Sequence, residues 1–343
     1  MKSFFVTENL ETEIREIPTP KYTSKQALVK MIACGMCGTD VKLLHGKFKG
    51  YPISKYPLIL GHEGVGEVVE VGSEVTSYKI GDKVILPFVD EDPVNYPGIH
   101  SGWGALSEYG VVCDAAAYPE GEAPDCAYAQ QVLTNDLDPI DAVMIVTFRE
   151  VLSNIYYFGI KPEHSIVVYG CGPVGSTFIK FLHLCGVEKI AAVDIIDEKL
   201  CSAKENGAKY TINSKTENVE SVIRQHYPDG VDFVLDAIGA PFVINAAMPL
   251  IKDRGRILCY GVPPVEQISI DFSKAPYNWG IQYQQFPKKP EEGAVHEQIC
   301  TWIREGKLQI KDFISDYFKF EDSVEAFQKL LNREIQKKGI IVF

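Results

Sequence analysis

The sequence predicts an α/β protein in two parts, a doubly wound parallel sheet and a second part that is mostly β. Three observations carry this expectation. The chain has 343 residues, too many for one ordinary core. Up to about residue 150 it shows short runs of alternating apolar and polar residues, broken by Gly and Pro. Beyond that point short apolar runs alternate with helical stretches, the pattern of βαβ units.

Taken in order, "SKQALVKMIACG" and "GVGEVVEVGSEVTSYKIGDKVILPF" alternate apolar and polar residues and read as half-buried antiparallel strands. "PFVDEDPVNYPGIHSGWG" reads as a loop, with three acidic residues, three prolines and three glycines. "FREVLSNIYYFGIK" is expected to be a helix ending at Gly159. "SIVVYG", "KIAAVDI", "YTIN", "DFVLDAIG" and "GRILCYGV" read as buried parallel strands. Between them lie the expected helices "PVGSTFIKFLHLCG", "DEKLCSAKENGA", "NVESVIRQHY" and "FVINAAMPLI". The last fifty residues are expected to form two amphipathic helices and a final strand, which could return to the first part.

Composition narrows the function. A net charge of −12 disfavours nucleic acid and anionic membranes as partners. No apolar run approaches the roughly 18 residues that cross a bilayer. The N-terminus turns acidic too soon for a secretory signal, so a cytoplasmic location is expected. Nine cysteines, an odd number in a long chain, read as reduced thiols rather than a disulfide framework.

Two constellations carry chemistry. The first is Gly170-Cys171-Gly172-Pro173-Val174-Gly175, a G-x-G-x-x-G between an expected strand and an expected helix. Glycines there permit a tight turn and close approach of a pyrophosphate, and the helix N-terminus favours the phosphates. Asp194 ends the next strand 24 positions after Gly170, where a ribose-binding carboxylate belongs. It is followed by Ile195, Ile196 and Asp197, with no cation to receive a 2′-phosphate, so NAD is expected over NADP. The second is "CGMCGTDVKLLHG", with Cys34 and Cys37 three apart, together with the His62-Glu63 pair of "LILGHEGVGEVVEVGSEV". Cys, His and Glu suit a catalytic zinc that keeps one position open. Read alone, the cysteines could be a redox pair and the His-Glu a surface turn.

In order and spacing, "GMCGTD", "GHEGVGEVVEVGSEV", "GDKV" and "YGCGPVG" resemble the zinc-dependent medium-chain alcohol and polyol dehydrogenases, above all the sorbitol and threonine dehydrogenase branch. The resemblance implies a GroES-like catalytic domain over 1–152, a Rossmann NAD-binding domain over 153–290, and a return to the catalytic domain over 291–343. It implies hydride transfer between an alcohol carbon and NAD, with zinc acting as a Lewis acid on the alcohol oxygen. Cys37 and His62 take the places of zinc ligands, while Cys34 falls in the core. Thr39 takes the place of the hydroxyl that relays the substrate's proton, and Asp40 that of a carboxylate orienting His62. Val174 would back the nicotinamide.

The chain departs from the family at three points. No cysteine lies in the loop near 90–105, so one catalytic zinc and no structural zinc is expected. The branch's glutamate on the helix after residue 140 is absent; Thr147 stands at the aligned position and Glu150 about a turn later, so Glu63 or Glu150 completes the zinc site, with Glu63 favoured. Where a relay histidine is usual the chain has Lys42, with His45 as a possible substitute. The expected substrate is a secondary alcohol, polyol or sugar-derived. Lys42 and Lys47 keep open a phosphorylated or carboxylated alcohol, and the altered ligand keeps open a non-catalytic cofactor-binding protein. Homodimers or homotetramers are expected, paired along the sheet edge near "GRILCYGV".

Overall fold

The computed structural model describes residues 1–134, 136–263 and 267–343. The chain divides into two compact units, 1–149 together with 288–343, and 150–287. Both boundaries fall three residues earlier than those read from the sequence, at 149 against 152 and 287 against 290.

The chain opens with β1 (Lys2–Val6) and β2 (Thr12–Glu16), followed by β3 (Gln26–Gly35), α1 (Gly38–Leu44), β4 (Leu58–Ile59) and β5 (Gly64–Val71). Next come β6 (Lys83–Ile85), β7 (His100–Ser101) and β8 (Tyr109–Cys113), and then α2 (Met144–Tyr157), which begins in the first unit and ends in the second. The second unit continues with β9 (Ser165–Tyr169), α3 (Pro173–Leu184), β10 (Lys189–Asp194), α4 (Asp197–Glu205) and β11 (Tyr210–Asn213). It ends with α5 (Val219–His226), β12 (Val231–Asp236), α6 (Pro241–Ala247), β13 (Ile251–Cys259) and β14 (Gly280–Tyr283). The return segment holds α7 (Lys289–Ala294), α8 (His296–Arg304), β15 (Ile314–Lys319), α9 (Ser323–Leu331) and β16 (Lys338–Val342).

In the second unit the strand order is β11-β10-β9-β12-β13-β14, every neighbouring pair parallel. This is the expected doubly wound sheet. All five residues of β9 are buried, as a central strand covered on both faces requires. One detail is corrected. "GRILCYGV" lies in β13, which is flanked on both sides, and the edge of the sheet is β14. The four residues of β14 are half-buried or exposed, so the strand leaves almost no apolar signal. "FVINAAMPLI" is also shorter as a helix than expected, because Pro249 removes a donor and the chain re-enters a strand at Ile251.

The first unit holds two sheets, β2-β1-β4-β7 and β15-β16-β3-β5-β6, with β8 also on β3. β3 pairs antiparallel with β5, β8 and β16. Central placement explains why seven of its ten residues are buried rather than every second one. The final strand does return: β16 sets Ile341 opposite Cys34. It also pairs with β15, which the sequence reading did not anticipate. Helix α9 stacks Phe327 on Phe4 of β1, ring centroids 4.7 Å apart. Each such fully buried side chain contributes about 1.5–3 kcal/mol. Among the described residues no helix is long and apolar enough to cross a membrane. All nine cysteines are free.

Candidate active site

Cys37 stands at the N-cap of α1 with extended backbone angles. The third helical residue, Asp40, reaches back so that its Oδ2 accepts from the Cys37 backbone N–H at 2.9 Å. That locks the turn carrying the thiol. Asp40 is fully buried, and its Oδ1 lies 3.4 Å from His62 Nδ1. Neither of these two atoms has a hydrogen-bond partner. Burial alone would push the His62 imidazole down, but the Asp40 carboxylate and the Cys37 thiol together carry it well above its ordinary value.

His62 and Glu63 lie in a bend just before β5, outside the regular alternation of the strand. A bend lets two adjacent side chains point the same way, which a regular strand forbids. Cys37, His62 and Glu63 each offer a ligand atom, and these atoms lie within 4.8 Å of one another. The donor set suits zinc. Asp40 stands behind the histidine, where a carboxylate would orient the ring of a metal-bound imidazole.

Glu63 is itself held. Its Oε1 and Oε2 accept from Lys338 Nζ at 2.8 and 2.6 Å, and Oε1 also accepts from Thr147 Oγ1 at 3.0 Å. Glu63 and Lys338 are only 1% and 5% exposed. Burial would raise the Glu63 carboxyl, but the Lys338 ammonium, aided by His62 and Thr147, holds it below the usual carboxylate range. The site thus contains a buried ion pair, a second buried carboxylate and a thiol. A divalent cation would balance the Asp40 charge and a Cys37 thiolate, since Glu63 and Lys338 already cancel.

The other expected residues are spread out. Cys34 is fully buried in β3, and burial pushes its thiol well up. Thr39 is half-buried in α1. Lys42 is half-buried too; burial lowers its ammonium, which the neighbouring Cys37 partly offsets. His45 is exposed, and its Nδ1 lies 2.8 Å from Val41 O in its own helix. The ring thus serves its own helix end. Glu150 falls in the second unit, where its Oε2 accepts from Tyr260 at 3.2 Å. Thr147, by contrast, donates to Glu63 Oε1.

Three aromatic rings beside this group gave no sequence signal. Trp103 has its ring centroid 5.3 Å from that of His62, 5.7 Å from Tyr51 and 6.2 Å from Phe48. Lys338 was equally silent, because a lysine opening a terminal strand reads as solvated surface.

In the second unit, Gly170 has φ +90° and a Cβ on Gly175 would lie 1.8 Å from Gly170 O, so both must be glycine. A Cβ on Gly172, by contrast, would meet nothing within 4 Å. Gly172 is the N-cap of α3 and Pro173 its first residue, which leaves the helix N-terminus open to an anion. Asp194 accepts from three backbone N–H groups, Cys171 (2.7 Å), Ile195 (2.7 Å) and Ile196 (3.1 Å). The carboxylate therefore pins the glycine turn to the end of β10. The turn fits a dinucleotide pyrophosphate.

Residues 23–122 match the alcohol dehydrogenase GroES-like domain family, and residues 173–281 match the zinc-binding dehydrogenase family. An alcohol dehydrogenase of Geobacillus stearothermophilus is 30% identical over 280 residues, 77% of this chain and 78% of the relative. A sorbitol dehydrogenase of Bacillus subtilis (strain 168) is 24% identical over 356 residues, 100% of this chain and 97% of the relative. Benzyl alcohol dehydrogenase from Acinetobacter calcoaceticus shares the fold, with a TM-score of 0.82 at 20% identity and full coverage of both chains.

Proposed function

We propose that this chain, which belongs to the zinc-dependent medium-chain alcohol and polyol dehydrogenases, transfers a hydride between a polyol or sugar-derived secondary alcohol and NAD. The observation that carries this reading is the convergence of Cys37, His62 and Glu63 within 4.8 Å, with buried Asp40 behind the histidine. Those three side chains would hold one zinc, and the loop near 90–105, lacking cysteine, would hold none. When bound, zinc supplies Lewis-acid polarisation of the alcohol oxygen and NAD accepts the hydride.

The chain's own residues do the rest. Asp40 keeps His62 in one orientation. Lys338 and Thr147 keep Glu63 ionised and aimed. The Thr39 hydroxyl takes up the substrate's hydroxyl proton while passing its own toward solvent. The glycine turn and the N-terminus of α3 bind the pyrophosphate, with Val174 beside the nicotinamide. Asp194 binds the adenosine ribose and, by like-charge repulsion, disfavours a 2′-phosphate. The sorbitol dehydrogenase relative supports the polyol class. Half-buried Lys42, beside Cys37, supports a second reading, in which the alcohol carries a phosphate or carboxylate. Nine free cysteines support a reducing compartment such as the cytoplasm. The exposed edge strand β14 supports pairing into dimers or tetramers.

NAD reduction by the purified protein, run over neutral and phosphorylated polyols, tests this. Turnover that a chelator abolishes and zinc restores is expected. Binding of NAD with no turnover on any alcohol would leave a cofactor-binding protein instead.

A further inference from the structure

Trp103 has a left-handed backbone, φ +70°, although it is the bulkiest residue type. Such a conformation is unfavourable for any residue with a Cβ, and in a non-glycine it persists where the surroundings over-determine it, often at ligand sites. Gly102 and Gly104 flank it, so the chain could have turned here on a glycine alone. Keeping a tryptophan at the strained position calls for a reason, and the ring supplies one. It lies 5.3 Å from the His62 ring, tilted by 52°, and contacts Tyr51 and Phe48 on its other sides. All three aromatic residues are only partly buried, and the Lys55 ammonium lies 5.5 Å over the Tyr51 ring.

The polar tips are available. Neither the indole N–H of Trp103 nor the hydroxyl of Tyr51 makes a hydrogen bond among the described residues. The wall is therefore amphipathic: flat π-faces with two free polar groups at the rim. An extended chain bearing a hydroxyl on every carbon offers such a face little continuous C–H surface. A saturated ring offers a flat patch of axial C–H groups, with hydroxyls around its edge to meet the rim.

We propose that Trp103 is a specificity-determining residue, and that with Tyr51 and Phe48 it selects a ring-shaped polyol whose C–H face stacks on the indole while its carbinol reaches the Cys37–His62–Glu63 group. This rests on the reading of that group as the zinc site. The class it names is the cyclic polyol, as against the open-chain polyol of equal hydroxyl count.

Steady-state kinetics on a panel of inositol stereoisomers, sorbitol and cyclohexanol test the proposal in the wild type, Trp103→Gly and Trp103→Phe. In the wild type, kcat/KM for the best inositol should exceed that for sorbitol by at least tenfold. Trp103→Gly should remove that preference, mainly through KM, with zinc retained and Tm unchanged or higher, because glycine tolerates the left-handed backbone. Trp103→Phe keeps a ring but loses the N–H, so it should keep part of the inositol preference and leave cyclohexanol less affected than inositol. An inositol-to-sorbitol ratio unchanged in Trp103→Gly, or a wild type that oxidises sorbitol but no inositol, would overturn the proposal while leaving the zinc-site reading intact. Loss of zinc in Trp103→Gly would show that the ring acts through His62, which also overturns it. A wild type that neither holds zinc nor reduces NAD with any alcohol would remove the zinc-site reading, and this inference with it.

Discussion

Two carboxylates, Asp194 and Glu63, are held in opposite ways. Among the described residues Asp194 accepts from backbone N–H groups alone, two of them on the next two residues and one 23 positions back. Glu63 accepts from side chains 84 and 275 residues away. Backbone donors survive almost any substitution around them, so the nucleotide turn is robust. Side-chain donors can be removed one at a time, and each loss leaves a buried charge. The nucleotide turn can also form from one βαβ unit, whereas the Glu63 site exists only once β16 has joined β3.

The largest effect should come from breaking the second arrangement. Lys338→Met leaves Glu63 buried and unpaired, which costs about 3–5 kcal/mol. Chemical denaturation of the metal-free protein should show a loss of that size, and adding Glu63→Gln should recover most of it. With zinc present the loss should shrink, because the ion takes over the charge. Equal losses with and without zinc would mean that Glu63 does not face the metal.

Asp194→Ala breaks the first arrangement. Three backbone donors then turn to water, at about 1–3 kcal/mol for the turn. The larger consequence falls on cofactor choice: NAD affinity should fall while NADP affinity rises, read by titration of both. Equal wild-type affinities would show that Asp194 does not face the ribose.

A smaller effect is expected from His296, which shares the side-chain style of Glu63. Burial, then the Arg149 guanidinium, lower its imidazole to about 4 from 6.5. Arg149 is itself fully buried, donating to Ala129 O at 2.8 Å and facing Glu292 at 3.8 Å. Because the folded-state value is depressed, His296 contributes full stability above pH 6.5 and loses it as pH falls toward 4, by about 3 kcal/mol in all. Denaturation midpoints of the wild type should drop across that window more steeply than those of His296→Gln. Parallel slopes would show that the ring is hydrated.

The same contrast explains what could be read from the sequence. The glycine turn, Asp194 and the βαβ order are local, and each follows from residues within about thirty positions. Cys37, His62 and Glu63 were legible through the resemblance, and the bend that brings the last two together followed from strand alternation. Lys338 was not legible, since nothing near "KKGIIVF" tells a buried lysine from a solvated one. Thr147 appeared only as the place of a missing glutamate. Trp103 looked like one residue of an irregular loop, because its strained backbone and its contact with His62 are facts of tertiary structure. The edge strand β14 was missed because an exposed strand carries no burial pattern.

The central claim is that Glu63, adjacent to His62 and steadied by Lys338, completes the zinc site. The most direct measurement is zinc bound per subunit in the wild type, Cys37→Ser, Glu63→Gln and Glu150→Gln, by elemental analysis after equilibration at limiting metal. One zinc per subunit in the wild type is expected, retained in Glu150→Gln and lost or greatly weakened in both Cys37→Ser and Glu63→Gln. Zinc retained at wild-type affinity in Glu63→Gln but lost in Glu150→Gln would contradict it.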